Sequence, residues 1–314
     1  MTFGLEGSNA TIFPVRIQGP ENVKPFLETF HKHGHVELDT ARIYCNGDTE
    51  KVLGSLPIHQ DFKIGTKVWP TIPRAHGPEN LGRIFRESLA ALKASKVDIL
   101  YLHSPDVTTP FIETVKAIDE LHKEGLFDRF GLSNFAAWQV TLIHQLCKQN
   151  DYVLPTVYQG KYNAITRDVV KELIPCLRTL KIDFYAYNPI GGGLLSGRYR
   201  FDDVEVSDSS FFSTKTGYGQ MYRALYWNNL YKDAVLKLSK VAAENGLTLL
   251  ESSLRWMSHH SGLGPTVVIG SSSIHHLEDN LVDMAKGPLP AAMVTAFDEA
   301  WEHVKVACPC YFNV

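Results

Sequence analysis

Asp39, Lys67 and His103 are the residues of this chain most suited to chemistry. Each closes a short apolar run: HVELDT (35–40), FKIGTK (62–67) and VDILYLH (97–103). A carboxylate, an ammonium and an imidazole are groups that move protons and stabilise developing charge. A strand buried in a core would otherwise exclude them. Taken singly, each has a plainer reading: Asp39 as a turn cap, Lys67 as a cation reaching from a strand end to water, His103 as a hydrogen-bonded structural histidine. Three at successive strand ends point instead to one site, provided the fold gathers those ends on one face.

The rest of the chain predicts such a fold. Further strand candidates are FDRFGLS (127–133), VLPTVYQ (153–159), IDFYAYN (182–188) and TVVIG (266–270), with an eighth at Met1–Phe3. Most lack polar alternation, as strands covered on both faces do. Helical patterns lie between them, at 78–95, 109–125 and 136–150. The second opens at Thr108-Thr109-Pro110 and closes at Gly125, which is ordinary capping punctuation. Strands alternating with helices predict a parallel sheet. No G-x-G-x-x-G follows the first strand, which lowers a doubly wound dinucleotide fold. The expectation is therefore a single α/β domain over residues 1–314, a (β/α)8 TIM barrel whose active face is the C-terminal end of its strands. Segment 188–226 is too long for an ordinary connection and reads as an active-site loop. Residues 289–304 read as an extra C-terminal helix.

Composition narrows the function classes. The 314 residues are 44% hydrophobic and 21% charged, with formal net charge −3, so no global basic field favours nucleic acid or anionic lipid. No stretch approaches the roughly 18 apolar residues of a membrane helix, and MTFGLEGSNATIF resembles no signal peptide. Five scattered cysteines argue for reduced thiols and a cytoplasmic setting. Cys308-Pro309-Cys310 lacks a second pair and reads as structural, so no metal site is expected.

HVELDTARIYCNGDTEKVLG (35–54) resembles the aldo-keto reductase signature: a strand ending in Asp39, Tyr44 five residues on, then Glu50 and Gly54 in a helix. Lys67 in KIGTKVW and His103 in DILYLHSPD fall where that family keeps its remaining catalytic residues. GLSNF (131–135), PTVYQGKYN (155–163), YNPIGGGLLSG (187–197) and VIGSSSIHHLEDN (268–280) match its cofactor segments in order. GLSNFAAWQV, YRALYW and RWMSHH resemble the aflatoxin-aldehyde and succinic-semialdehyde reductase branch.

The resemblance implies NADPH-dependent reduction of carbonyls. Tyr44 would donate the proton, its phenol brought below the ordinary pKa of about 10 by a neighbouring Lys67. Asp39 would hold Lys67, and His103 would bond the carbonyl oxygen. It assigns Ser133, Asn134 and Gln159 to the nicotinamide carboxamide, Tyr187 to stacking on the ring, and Leu194 and Ser196 to the loop over the pyrophosphate. Ser133-Asn134 also reads as a helix cap before AAWQV. Ser271, Ser273, His276 and Asn280 belong to the adenosine end, where a helix N-terminus suits a 2′-phosphate. His276 stands where many members keep an arginine.

For the substrate, Trp69, Tyr222 and Trp227 suggest an aromatic wall, with Phe211 and Phe212 beside them, and Arg223 is the candidate for a substrate carboxylate. Leu225 and the ending YFNV stand where relatives of short acidic aldehydes carry arginines, so neutral aromatic aldehydes or dicarbonyls are the expected preference. The expected partners are a small-molecule carbonyl and a second copy in a homodimer. MTFG matches the end of the family's first strand, so its usual leading hairpin is not expected in this chain. Two other functions share parts of the pattern. An NADP-binding redox sensor or regulatory β subunit would keep the barrel and turn over slowly. A barrel lyase would use Lys67 as a Schiff-base nucleophile, although GLSN and YNPIGGG have no special sense there.

Overall fold

Short apolar runs and longer amphipathic ones alternate along the chain, and the computed structural model, which describes residues 3–8, 15–201, 206, 210–264 and 266–313, turns that alternation into layers. Nine strands occur among these residues: β1 (Phe3–Gly4), β2 (Ile17–Gln18), β3 (Glu37–Asp39), β4 (Lys63–Val68), β5 (Val97–Leu102), β6 (Phe127–Ser133), β7 (Pro155–Lys161), β8 (Asp183–Tyr187) and β9 (Val267–Val268). From β3 to β9 they form one parallel sheet in sequence order, with helices over its outer face. The architecture is a single-domain α/β barrel of the (β/α)8 type.

The strand expected at Met1–Phe3 is realised only in part. Met1 lies outside the described residues, and β1 pairs with β2, Phe3 opposite Ile17, rather than with the seven-stranded sheet. Residues two apart on a strand share a face, and the inner face is readable from one cluster: Ile99, Tyr101, Val157 and Tyr185 pack together inside the barrel. Tyr101 takes the widest space there. A methyl group on Gly131, across the β5–β6 pairing, would come within 2.3 Å of its ring, so glycine at 131 makes room for that side chain.

Helix formation follows apolar spacing. In Pro78–Leu92, Leu81, Ile84, Phe85, Ser88, Leu89 and Leu92 are buried at intervals of three and four, Pro78 opens the first turn, and Lys93 ends it with φ of 52°. The helix Phe111–Lys123 starts after Pro110 and ends before Gly125, as its punctuation predicts. Segment 188–226 departs from the expected loop. It contains a 3-10 turn at Gly191–Ser196 and a full helix, Gly217–Tyr226, capped by the Thr216 hydroxyl. Two further helices, Asn229–Glu244 and Leu249–His259, follow before β9, and Ala291–Val304 closes the outside of the barrel. No helix among the described residues is long and apolar enough to cross a membrane.

Candidate active site

Strand alternation assembles the site. With Tyr101 and Val157 facing inward, so do His103 and Gln159, two residues further along β5 and β7. The same parity turns Asp39, Lys67, Ser133 and Tyr187 to the mouth of the barrel. Lys67 is completely buried, and its Nζ donates to Asp39 Oδ2 at 2.5 Å and to the Thr40 carbonyl at 2.9 Å. Gln159 Nε2 donates to the other Asp39 oxygen at 2.8 Å. One carboxylate thus ties β3 to both β4 and β7.

Tyr44 lies just past β3 in a short 3-10 turn, Tyr44–Gly47, in which Cys45 and Asn46 have positive φ. That turn swings the phenol back over the mouth. Its ring stands edge-on to His103, centroids 5.7 Å apart, with Lys67 Nζ 5.1 Å from its centroid. Trp69 meets the other side of His103 at 4.9 Å. Behind the site, buried Glu50 accepts from Thr66 Oγ1 at 2.6 Å and pairs with Arg42 at 2.9 Å, adding negative potential near Lys67.

The electrostatics correct one expectation. Tyr44 is not acidified: its pKa stands well above 10, raised first by burial, then by the Asp39 carboxylate and the Tyr218 and Tyr187 phenols. The positive charge of Lys67 is already matched by Asp39, and burial penalises phenolate. Lys67 itself is lowered, because burial outweighs the pull of Asp39. His103 falls well below 6.5 through burial, the Lys67 cation and His76, so its imidazole is neutral at physiological pH. Asp106, which accepts from the backbone of His76 and Thr108 and from the Thr108 and Thr109 hydroxyls, is held at about 2 and fixes the loop after β5.

A second chain of bonds links the residues assigned to the nicotinamide. Asn134, at a left-handed φ of 62°, donates from Nδ2 to the His103 carbonyl (2.9 Å) and to Ser133 Oγ (3.1 Å), while its Oδ1 accepts from the Tyr187 hydroxyl (2.8 Å). Ser133 and Asn134 do not cap the following helix. Its N-cap is Ala136, whose N–H donates to Gln139 Oε1. Leu194 is buried in the core, and Ser196 Oγ donates to the Gly193 carbonyl.

Ser271, Ser273, His276 and Asn280 gather at a separate place, around the start of the helix Ile274–Ala285. Ser273 Oγ accepts from His276 N, the first turn holds no acid, and Asn280 Nδ2 reaches Ser271 Oγ at 3.5 Å. Asn280 Oδ1 is buried without a partner. Among the aromatic candidates, Tyr222 stacks on Phe211 with centroids 5.3 Å apart and reaches Asn188 Oδ1 at 3.5 Å. Trp227 packs on Phe201 and Phe212. Arg223 is occupied: its Nε donates to the Phe212 carbonyl at 2.6 Å and its guanidinium covers Trp227 at 4.2 Å.

Sequence reasoning tied the ending YFNV to the substrate but missed the bonds that hold it over the mouth. Asn313 N donates to the Asn134 carbonyl and its Nδ2 to Ser104 Oγ, both at 3.0 Å. No local signal marks those contacts. It also missed Tyr218, which packs beside Tyr44, although its four-residue spacing from Tyr222 and Tyr226 was visible.

A buried carboxylate–lysine pair, a protonated phenol and a neutral imidazole at the mouth of an α/β barrel define an oxidoreductase acting on carbonyls. The chain belongs to the aldo/keto reductase family, which it matches over residues 10–302. It is 43% identical over 295 residues to an aldo-keto reductase of Pseudocercospora fijiensis, covering 91% of this chain and 99% of that one. It is 42% identical over 307 residues to aflatoxin B1 aldehyde reductase member 2 of Mus musculus, covering 93% and 82%. Among solved structures, the glycerol dehydrogenase of Gluconobacter oxydans superposes with a TM-score of 0.69 at 20% identity, covering 93% of this chain and 88% of that one, a likeness of fold.

Proposed function

We propose that the whole chain, residues 1–314, is one NADPH-dependent aldehyde reductase of the cytoplasm, with aromatic aldehydes and dicarbonyls as its preferred substrates. The observation that carries this is the Tyr44 phenol, held protonated against neutral His103 and above the Lys67–Asp39 pair. Bound nicotinamide would supply hydride to the carbonyl carbon. Tyr44 then releases its proton only as charge grows on the carbonyl oxygen, and Lys67 balances the phenolate left behind. His103 holds the same oxygen and turns the carbonyl toward the hydride. Water is kept out by Trp69 on one side and Tyr218 on the other.

Several features support the cofactor assignment. Ser133, Asn134 and Gln159 lie together under Tyr187, and Asn280 Oδ1 is an unsatisfied acceptor of the kind an adenine amino group would meet. The acid-free helix start at Ser273 suits a 2′-phosphate, which favours NADPH over NADH. The five cysteines are free thiols, consistent with a reducing compartment. Names of relatives such as aflatoxin B1 aldehyde reductase point the same way for the substrate. The test is loss of reduced-nicotinamide absorbance with 4-nitrobenzaldehyde, NADPH against NADH. Turnover should favour NADPH and fall roughly 10²–10⁴-fold in Tyr44→Phe, with cofactor binding retained. Near-normal turnover in that variant would remove Tyr44 as the donor.

A further inference from the structure

Tyr101 on β5 is the register partner of Lys67 on β4, so the two side chains stand next to each other on the inner face of the barrel. The tyrosine is buried, and the strands on either side are cleared for its ring. A methyl group on Gly65 of β4 would lie 3.3 Å from that ring, and one on Gly131 of β6 would lie 2.3 Å from it. The phenol is neutral, its pKa raised well above 10 first by burial and then by the Asp39 carboxylate. Its hydroxyl makes no hydrogen bond among the described residues. What the ring does meet is a charge. Lys67 Nζ stands over it, 5.6 Å from its centroid, while lying 5.1 Å from the centroid of Tyr44.

Lys67 has few other sources of support. It is completely buried, and Asp39 and the Thr40 carbonyl take two of its three N–H donors. Asp39 also accepts from Gln159, Glu50 behind the site is matched by Arg42, and burial still pulls Lys67 below the ordinary lysine range. A second carboxylate in contact with the ammonium would offset that burial. It would also oppose the phenolate that forms on Tyr44. An aromatic face attracts a cation through its quadrupole and carries no net charge. Tyr101 therefore favours charged Lys67 without penalising the phenolate.

We propose that Tyr101 is a positioning residue, whose ring face holds the Lys67 ammonium charged and in place beside Tyr44. This rests on the reductase reading above. The experiment weakens the ring face at nearly constant shape, with Tyr101→Phe as reference and 4-fluoro- and pentafluorophenylalanine placed at the same position of the full chain. Fluorine withdraws the negative face that a cation meets. Lys67 is followed by the carbon-13 signal of its Cε, assigned with Lys67→Arg, and by the pH profile of kcat for 4-nitrobenzaldehyde with NADPH. The other titratable groups facing the ammonium, Asp39, Glu50, Tyr44 and His103, stay the same throughout the series.

From Tyr101→Phe to pentafluorophenylalanine, the acid dissociation constant of Lys67 should rise about tenfold, or about one pH unit, the weight of one desolvated cation–π contact. The basic limb of kcat should move to lower pH by the same amount, with KM for the aldehyde little changed. An unmoved Lys67 titration overturns the proposal, and so does a titration that moves while the limb of kcat stays. Equal loss in Tyr101→Phe and in the fluorinated proteins assigns the effect to the hydroxyl and overturns it too. If the unaltered chain reduces no aldehyde, the reductase reading fails. The Lys67 titration then decides the ring contact alone: a shift along the series upholds it, and none overturns it.

Discussion

The floor of the site and its cover are built on different principles. The floor stands on strand ends, and its polar groups are held by short directed bonds: Lys67 to Asp39, Gln159 to Asp39, Asn134 to His103 and Tyr187 to Asn134. The cover comes largely from one helix, Gly217–Tyr226, whose Tyr218, Tyr222 and Tyr226 recur every four residues and pack with tilted rings at centroid distances of 5.0 and 6.0 Å. Directed bonds on rigid strands fix the geometry that proton transfer needs. Packed rings tolerate displacement more readily than directed bonds do.

The sharpest way to break that contrast is to remove a bond from the floor. Lys67→Met should cost roughly 10²–10⁴-fold in kcat, since the phenolate formed on Tyr44 loses its counter-charge. It should also lower stability by about 3–5 kcal/mol, because Asp39 is left unpaired in a largely buried site. Adding Asp39→Asn should restore much of the stability, read from urea unfolding, and none of the turnover. Recovery of turnover in the double variant would mean the pair only holds the fold together.

A change in the junction between floor and cover should act more mildly. Gly192 has φ of 68°, and a methyl group there would lie 2.4 Å from the Tyr222 ring. Gly192→Ala should therefore cost about 1–3 kcal/mol in thermal unfolding and raise the apparent KM for cofactor, while kcat for bound substrate changes little. Equal stability would show that the loop and ring part without strain.

The smallest effects should come from pH. Tyr44 raised and His103 lowered mean that neither changes protonation near neutrality, so kcat for reduction should stay flat between about pH 6 and 8.5. A basic limb inside that range would show a phenol acidified by Lys67 after all. Stability should follow the depressed histidines. Below 6.5 the unfolded chain takes up protons that folded His103 and His76 refuse, so the melting temperature should drop as pH falls under that value. Asp106 adds a further loss as pH falls from 3.8 through about 2.

Much of this protein was legible in its residues. Charge at the ends of apolar runs marked Asp39, Lys67 and His103, which the fold does gather at one mouth beside Tyr44, and apolar spacing located the main helices. What the sequence could not determine is how far each group is removed from water and which distant segment removes it. Tyr44 keeps its proton first because it is buried, and then because Asp39, Tyr218 and Tyr187, from three separate elements, converge on it. Arg223, a cation by its residue type, is spent on Trp227 and Phe212. Strand pattern is set by neighbours in the chain and can be read locally. Desolvation is set by whatever packs on top, so it was decided only when the tertiary structure closed.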